Sequence, residues 1–129
     1  MKFYIEKTLS APFDAALDRV KQALGKEGFG VLTEIDVRET LKKKLNADLK
    51  NYRILGACNP PFAWQALQVE EKIGLLLPCN VIVREIAEGK VEVAAIDPVA
   101  SMQTVGDPRL AGIAEQVKAK LTTVIASLA

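Results

Sequence analysis

Residues 81–96, VIVREIAEGKVEVAAI, carry the strongest antiparallel pattern in the chain. Two runs rich in valine and isoleucine, 81–86 and 91–96, flank the turn Glu88-Gly89-Lys90. Strand-forming runs separated by a few residues that include glycine are typical of a β-hairpin. This hairpin is the most local strand pairing that the sequence predicts, and the other elements are placed around it.

Upstream of the hairpin, the sequence predicts three more strands, over 2–9, 29–35 and 52–58. The first two alternate between apolar and polar residues, as half-buried strands do. The third contains Gly56, which leaves room for the close approach of another backbone. Together with the hairpin, these segments predict a sheet of about five strands.

Helices are predicted where apolar residues recur at helical spacing. These apolar stripes run over 13–24, 37–45, 62–73 and 110–128. The second stripe follows the capping pair Asp36 and Glu39 and ends before Asn46. Asp97-Pro98 and Asp107-Pro108 are helix-opening pairs, and the second of them precedes the clearest stripe.

The order of elements predicts a single α+β domain over residues 1–129. We expect two layers, a mixed or mainly antiparallel sheet of about five strands with helices mainly on one face. The other face is then open, and an open apolar face is usually closed by dimerisation. Trp64 and Leu67 lie off the apolar face of their helix, so either a partner subunit or another part of the chain must cover them. A homodimer is therefore predicted.

The composition excludes several classes of partner. Seventeen basic and sixteen acidic residues give a net charge of +1, which provides no long-range attraction for nucleic acid or anionic membranes. No segment approaches the roughly 20 apolar residues of a membrane span, and the first residues lack the apolar stretch of a signal peptide. We therefore expect a cytoplasmic protein that binds neither nucleic acid nor membranes and keeps its two cysteines reduced.

The complete absence of histidine narrows the possible chemistry. Histidine is the usual general base near neutral pH and the commonest transition-metal ligand. Its absence excludes Ser-His-Asp and Cys-His mechanisms, and two cysteines cannot supply the four Cys or His ligands of a usual zinc site. Glycine-rich phosphate loops are absent as well. The sequence therefore leaves any catalytic residues unknown, leans against an enzyme and predicts no cofactor.

The two cysteines stand in similar settings, in Cys58-Asn59-Pro60 and in Pro78-Cys79-Asn80. Cys58 precedes a predicted helix, and the positive end of a helix dipole favours the thiolate form of a nearby cysteine. Cys58 is therefore the better candidate nucleophile of the two.

The predicted lengths of the intervening segments allow the two thiols to meet. A helix over 60–73 is about 21 Å long, and an extended return over 74–79 covers about 20 Å. The two cysteines and their neighbouring asparagines can then share one end of the sheet and form a small pocket. The candidate ligand-binding residues, for a small ligand or a reactive sulfur species, are Cys58, Asn59, Cys79 and Asn80.

Two other interpretations of the cysteines stay open. Free cysteine is most often a small buried core residue, and the chain is then a structural or interaction module with inert thiols. Alternatively, a Cu(I)-type metal site could be formed by Cys58, Cys79 and Met102. That ligand set fits the preference of soft metals for sulfur, but it requires the three residues to lie together.

Three motifs around the cysteines resemble a known protein family. They are GACNP at 56–60, GLLLPCNV at 74–81, and Asp97-Pro98 with Met102. The LPCNV string is the most specific part, and the likeness to domain of unknown function family 302, a group of small prokaryotic proteins, covers nearly the whole chain. The resemblance implies a two-layer α+β fold and a homodimer, but no activity, since the family has no established one. Because the matching motifs cluster around the cysteines, it also favours a ligand or thiol site there.

Overall fold

The structure is a computed structural model that describes residues 2–129. Within these residues, the strands are β1 Tyr4–Ser10, β2 Gly30–Asp36, β3 Tyr52–Cys58, β4 Cys79–Ala87 and β5 Lys90–Ile96. The α-helices are α1 Phe13–Lys26, α2 Val37–Leu45, α3 Pro60–Val69, α4 Pro98–Met102 and α5 Pro108–Ser127. A 3₁₀ helix, Glu71–Leu76, lies between α3 and β4. None of the helices within residues 2–129 has both the length and the apolar character needed to cross a membrane.

The five strands form one antiparallel sheet in the order β1-β5-β4-β3-β2. β4 and β5 make the predicted hairpin, with Val83 opposite Val93 and Gly89 in the turn at a φ of +72°. Glycine adopts a positive φ without steric cost, which explains its place in this turn. The α+β fold class and the antiparallel sheet that the sequence predicts are confirmed.

The core lies between one face of the sheet and the helices α1, α3 and α5. Side chains alternate across a strand, so every second residue of β4 and β5 points to these helices. The buried strand residues that follow this alternation are Val81, Val83, Val91, Val93 and Ala95. The apolar stripe of α5 belongs to the same core, and the helices lie mainly on this one face, as predicted.

Side chains at their N-termini fix where α2 and α5 begin. Asp36 Oδ1 accepts a hydrogen bond from the Glu39 N–H at 2.9 Å. Asp107 Oδ1 accepts one from the Arg109 N–H, also at 2.9 Å. α2 ends at Asn46, whose φ of 52° lies in the left-handed region that terminates helices. The predicted starts of both helices and the predicted end of α2 are confirmed.

The segment between α3 and β4 differs from the prediction. The apolar stripe predicted one helix as far as Ile73 and an extended return after it, but α3 ends at Val69 and the 3₁₀ helix follows. Glu70 breaks the α-helix, since its backbone is extended, with a φ of −143°, and its Oε2 accepts a hydrogen bond from the Lys72 N–H at 3.0 Å. A side chain that bonds the backbone two residues on starts a new turn in place of the next helical one.

The second face of the sheet points away from α1, α3 and α5, and we call it the open face. Its side chains belong to the strand residues that alternate with the buried ones. They include the partly exposed residues Tyr52, Ile54, Ile82, Arg84 and Ile96. Several of these side chains line a groove of about 420 Å³.

Candidate functional site

The two cysteines lie at the same end of the sheet, on neighbouring strands. In the antiparallel register Ala57 of β3 is opposite Cys79 of β4. Cys58 is the next and last residue of β3, and it borders the same cavity as Cys79 although strict alternation would direct its side chain to the other face. Cys58 is partly exposed, whereas Cys79 is buried, with 8% of its surface exposed. The two cysteines lie near each other because β3 and β4 are paired. The segment that joins them folds differently from the prediction, but it does not determine their separation.

Both cysteines line one narrow cavity between the sheet and the helical layer. Its volume is about 30 Å³. Apolar side chains, among them Phe29, Phe62 and Val117, form most of its wall. Pockets for metabolites are usually at least about ten times larger, so the cavity suits only a very small guest.

The environment of Cys79 keeps its thiol protonated. Burial raises the pKa of Cys79 from 9.0 to about 11, and a negative charge on nearby Cys58 adds to the rise. An apolar surrounding disfavours the charged thiolate, because it replaces the water that would solvate it. At neutral pH Cys79 is therefore a neutral thiol, and Cys58 is the cysteine that solvent reaches.

Asn59 also lines the cavity, but its side chain bonds to a neighbouring loop. Its Nδ2 donates a hydrogen bond to the Glu27 carbonyl oxygen at 3.1 Å, and its side chain makes no capping hydrogen bond to α3. Gly28 next to that carbonyl has a φ of +85°, and a Cβ there would lie 3.3 Å from Asn59 Nδ2. Asn59 therefore ties the end of α1 to the start of α3 beside the two thiols.

The structure does not bring Asn80 into the cavity. Cys79 and Asn80 are adjacent in β4, and adjacent side chains of a strand point to opposite faces of the sheet. Cys79 points to the helical layer, whereas Asn80 is exposed and lines the groove on the open face. The expectation that all four candidate residues share one pocket is therefore wrong for Asn80, because β4 begins at Cys79 and not at Val81.

Met102, at the end of α4, lines the same cavity as the two cysteines. Asp97 holds α4 in place: its Oδ1 accepts a hydrogen bond from the Val99 N–H at 2.9 Å, and its Oδ2 pairs with Lys118 Nζ at 2.9 Å. Met102 is buried and brings a third sulfur atom to the wall.

Within residues 2–129, the part of the chain that the structure describes, no group of three or more His, Cys, Asp or Glu side chains is placed to bind a metal ion. A metal at the cysteines would have to use the Met102 thioether as a further ligand. The aromatic wall residues Phe29 and Phe62 were not predicted, because their separate positions in the sequence give no sign that they meet.

Gly56, which lies between Ile54 and Cys58 on β3, is expected to tolerate no side chain. A Cβ at this position would lie 2.2 Å from Thr33 Oγ1 and 2.9 Å from Pro78 Cγ. The neighbours that require glycine are thus two side chains, not the backbone that the sequence suggested. We expect Gly56→Ala to lower the free energy of unfolding by about 1–3 kcal/mol, measured by urea denaturation, because overpacking forces both neighbours to move.

A double variant tests this cause directly. Adding Thr33→Ala to Gly56→Ala removes the shorter of the two clashes, so part of the lost stability should return. Gly112→Ala is the matched control, since a Cβ there meets nothing within 4 Å and the residue lies inside α5. Alanine favours a helix over glycine by up to about 1 kcal/mol, so the control should be neutral or stabilising. Equal losses in both alanine variants would contradict the steric explanation.

Comparisons of this chain with a protein-family model and with a solved structure support the fold over nearly the whole chain. The family model described as "Domain of unknown function DUF302" matches residues 5–128. The crystal structure of an uncharacterized conserved protein DUF302 from Bacillus stearothermophilus is similar, with a TM-score of 0.91, 27% sequence identity and coverage of 100% of both chains. No curated protein matches the sequence. Neither of the two descriptions states an activity.

Proposed function

The chain belongs to the DUF302 family, and on that premise we propose that it is a small binding protein that holds one sulfur atom as a persulfide on Cys58. The observation that carries the proposal is the single cavity of about 30 Å³ that Cys58 shares with Cys79. The volume fits one added sulfur atom and is far too small for an ordinary metabolite. The function is thus storage or carriage of a reactive sulfur species, with no further reaction on the protein.

The two cysteines take different roles in this proposal. The Cys58 thiolate attacks the outer sulfur of a low-molecular-weight persulfide, R–S–SH. A new S–S bond forms on Cys58, the S–S bond of the donor breaks, and the thiolate R–S⁻ leaves, so no external oxidant or reductant is consumed. Cys79 stays protonated, because its pKa is about 11. It therefore offers a weak S–H donor and does not compete with Cys58 for the sulfur atom.

The apolar wall explains why a persulfide would last in this cavity. Cys58 is partly exposed, so the donor persulfide can reach it, whereas an outer sulfur atom directed between Phe29, Phe62 and Met102 would be less accessible to other thiols. Limited access slows thiol exchange, which requires direct attack on a sulfur atom. Because a reactive thiol must remain reduced between loads, we also propose that the protein works in the cytoplasm.

Mass spectrometry after incubation with glutathione persulfide tests the proposal. The wild-type protein should gain the mass of one sulfur atom on the peptide that contains Cys58, and Cys58→Ser should gain none. Cys79→Ser is the matched control, since it also removes one thiol from the cavity but leaves the acceptor, and it should still be loaded. Loading on neither cysteine, or equal loading of Cys58→Ser, would contradict the proposal, and the first result would favour a module with inert thiols.

A second candidate, Cu(I) binding, is favoured by one observation, the presence of Met102 in the same cavity wall. Two cysteine sulfurs and a thioether form a soft ligand set that suits Cu(I). Met102→Leu separates the two functions, since it conserves side-chain size and removes only the sulfur. Titration with Cu(I) against a chromogenic chelator should then show weaker binding in Met102→Leu if copper is the guest, whereas persulfide loading should be unchanged.

A further inference from the structure

We propose that the groove on the open face is a second binding site, which takes a small organic cation, an amine with an apolar or aromatic body. The groove has a volume of about 420 Å³, and sites for small molecules usually measure about 300–1,000 Å³. It lies on the opposite face of the sheet from the thiol cavity, so the sulfur proposal does not use it.

The strand register gives the groove an apolar floor with a carboxylate at one end. Glu6 of β1 is opposite Ala94 of β5, and Ala94 is opposite Ile82 of β4. Opposite residues share a face of the sheet, so these three side chains form one row across the groove. β1 and β4 are two strand spacings apart, or about 10 Å, which is long enough for a small amine with one ring. The row therefore has room for an apolar body over Ile82 and a charged end at Glu6.

The charges of the groove favour a cation. Its wall contains two carboxylates, Glu6 and Glu92, but only one basic side chain, Arg84. Arg84 Nε donates a hydrogen bond to Glu92 Oε1 at 2.7 Å, so these two charges are balanced within the chain. Glu6 is exposed and forms no ion pair among residues 2–129. One carboxylate therefore remains to attract a positively charged guest.

Aromatic rings provide a second contact for a cation. Tyr4 and Tyr52 line the groove, and Phe3 packs edge-on against Tyr4 with the ring centroids 5.0 Å apart. Lys2 Nζ lies 5.8 Å from the centroid of the Tyr4 ring, within the usual range of a cation–π contact. The chain thus already sets one of its own ammonium groups against this ring. A guest amine would use the same attraction, and Lys2 would compete with it.

An anion is the less favoured guest, although Arg84 is basic. The pKa of Arg84 is raised, chiefly by its hydrogen bond to Glu92 and also by the charge of nearby Glu6. A carboxylate or phosphate bound at Arg84 would therefore lie beside two like charges, which opposes its binding.

NMR titration with three probes of similar size tests this charge preference. The probes are phenethylamine, 2-phenylethanol and 3-phenylpropanoate, which share a phenyl ring and differ in charge. The amide signals of Asn80, Ile82 and Ala94 should shift saturably with phenethylamine, since these residues line the groove. The amine should bind about three- to tenfold more tightly than the alcohol, because cation–π and carboxylate contacts are each modest at an exposed site. The propanoate should bind most weakly.

Three variants identify the groups that bind the amine. Glu6→Gln should weaken phenethylamine binding about two- to fivefold and leave 2-phenylethanol binding unchanged, because it removes only the charge. Lys2→Ala should strengthen amine binding about twofold, since it removes the competing ammonium group. Glu88→Gln is the matched control: Glu88 is also exposed but lies in the turn between β4 and β5, and this variant should bind the amine like the wild type.

Three results would overturn the proposal. The first is tighter binding of 3-phenylpropanoate than of phenethylamine, which would make Arg84 the determinant. The second is an equal loss in Glu6→Gln and Glu88→Gln. The third is a set of groove signals that respond to none of the probes, whether the groove is then empty or filled by a second copy of the chain. Persulfide loading of Glu6→Gln should equal that of the wild type, so either proposal can fail while the other stands.

Discussion

We expect Cys79 to be alkylated by iodoacetamide at pH 8 at least about a hundredfold more slowly in the native protein than in the urea-unfolded chain. Its pKa rises from 9.0 to about 11 on folding. A rise of two pKa units lowers the thiolate fraction about a hundredfold well below both pKa values, and the thiolate is the form that reacts. Burial of the sulfur slows the reaction further, since the reagent must also reach it.

The alkylation rate of Cys79 should also depend on pH differently in the native protein and in the unfolded chain. In the native protein the rate at Cys79 should rise about tenfold per pH unit and level off only near pH 11, whereas in the unfolded chain it should level off near pH 9. Peptide mass spectrometry measures Cys58 and Cys79 in one sample, so the partly exposed Cys58 is the internal control. A native rate at Cys79 that levels off near pH 9 would show that its sulfur is not in an apolar environment.

Leu24→Ala should lower the free energy of unfolding by about 2–5 kcal/mol, the usual range when a fully buried leucine is truncated. Leu24 lies in the last turns of α1 with none of its surface exposed, so its loss leaves a cavity against the sheet. Most single domains have a total stability of only about 5–15 kcal/mol, and the variant is therefore expected to be largely unfolded at elevated temperature.

Leu45→Ala is the matched control for this variant. Leu45 also lies at the end of a helix, α2, but 71% of its surface is exposed. The same change of side chain should therefore alter stability by no more than about 0.5 kcal/mol. Urea denaturation of both variants measures the difference, and similar losses would mean that α1 does not pack on the sheet as described.

The elements that the sequence predicted well are those with strong local patterns. The hairpin 81–96 combines two β-branched runs with a turn at Gly89. The helices α2 and α5 directly follow Asp36 and Asp107, whose carboxylates accept hydrogen bonds from the first turns. In each case the residues that determine the element lie within a few positions of one another. Local sequence is sufficient to predict these elements, because no distant contact is needed to decide between helix, strand and turn.

The end of α3 could not be predicted, because its apolar stripe continues beyond the real boundary. Phe62, Ala66, Val69 and Ile73 keep helical spacing, and no glycine or proline interrupts them. The break occurs at Glu70, where a side chain bonds the backbone of Lys72, and Ile73 is buried from a 3₁₀ helix. The same apolar residues can be buried by one long α-helix or by an α-helix followed by a 3₁₀ helix. Their spacing alone therefore does not identify where α3 ends.

The candidate site shows a second limit of the sequence pattern. Cys58, Asn59 and Cys79 line one cavity, but whether they bind a ligand stays a prediction. Asn80 was grouped with them because it follows Cys79, and only the exact start of β4 shows that the two residues point to opposite faces. Similarly, Trp64 and Leu67 were expected to be covered, yet both remain exposed within this single chain.

The adjacency of Cys79 and Asn80 has a thermodynamic consequence. One peptide unit of β4 joins the wall of the sulfur cavity to the groove on the open face. Any cooperativity between sulfur loading and occupation of that groove must be reciprocal. If a loaded Cys58 tightens binding of a guest in the groove by some factor, that guest tightens retention of the sulfur by the same factor, and its cellular concentration would then set how long the cargo is held.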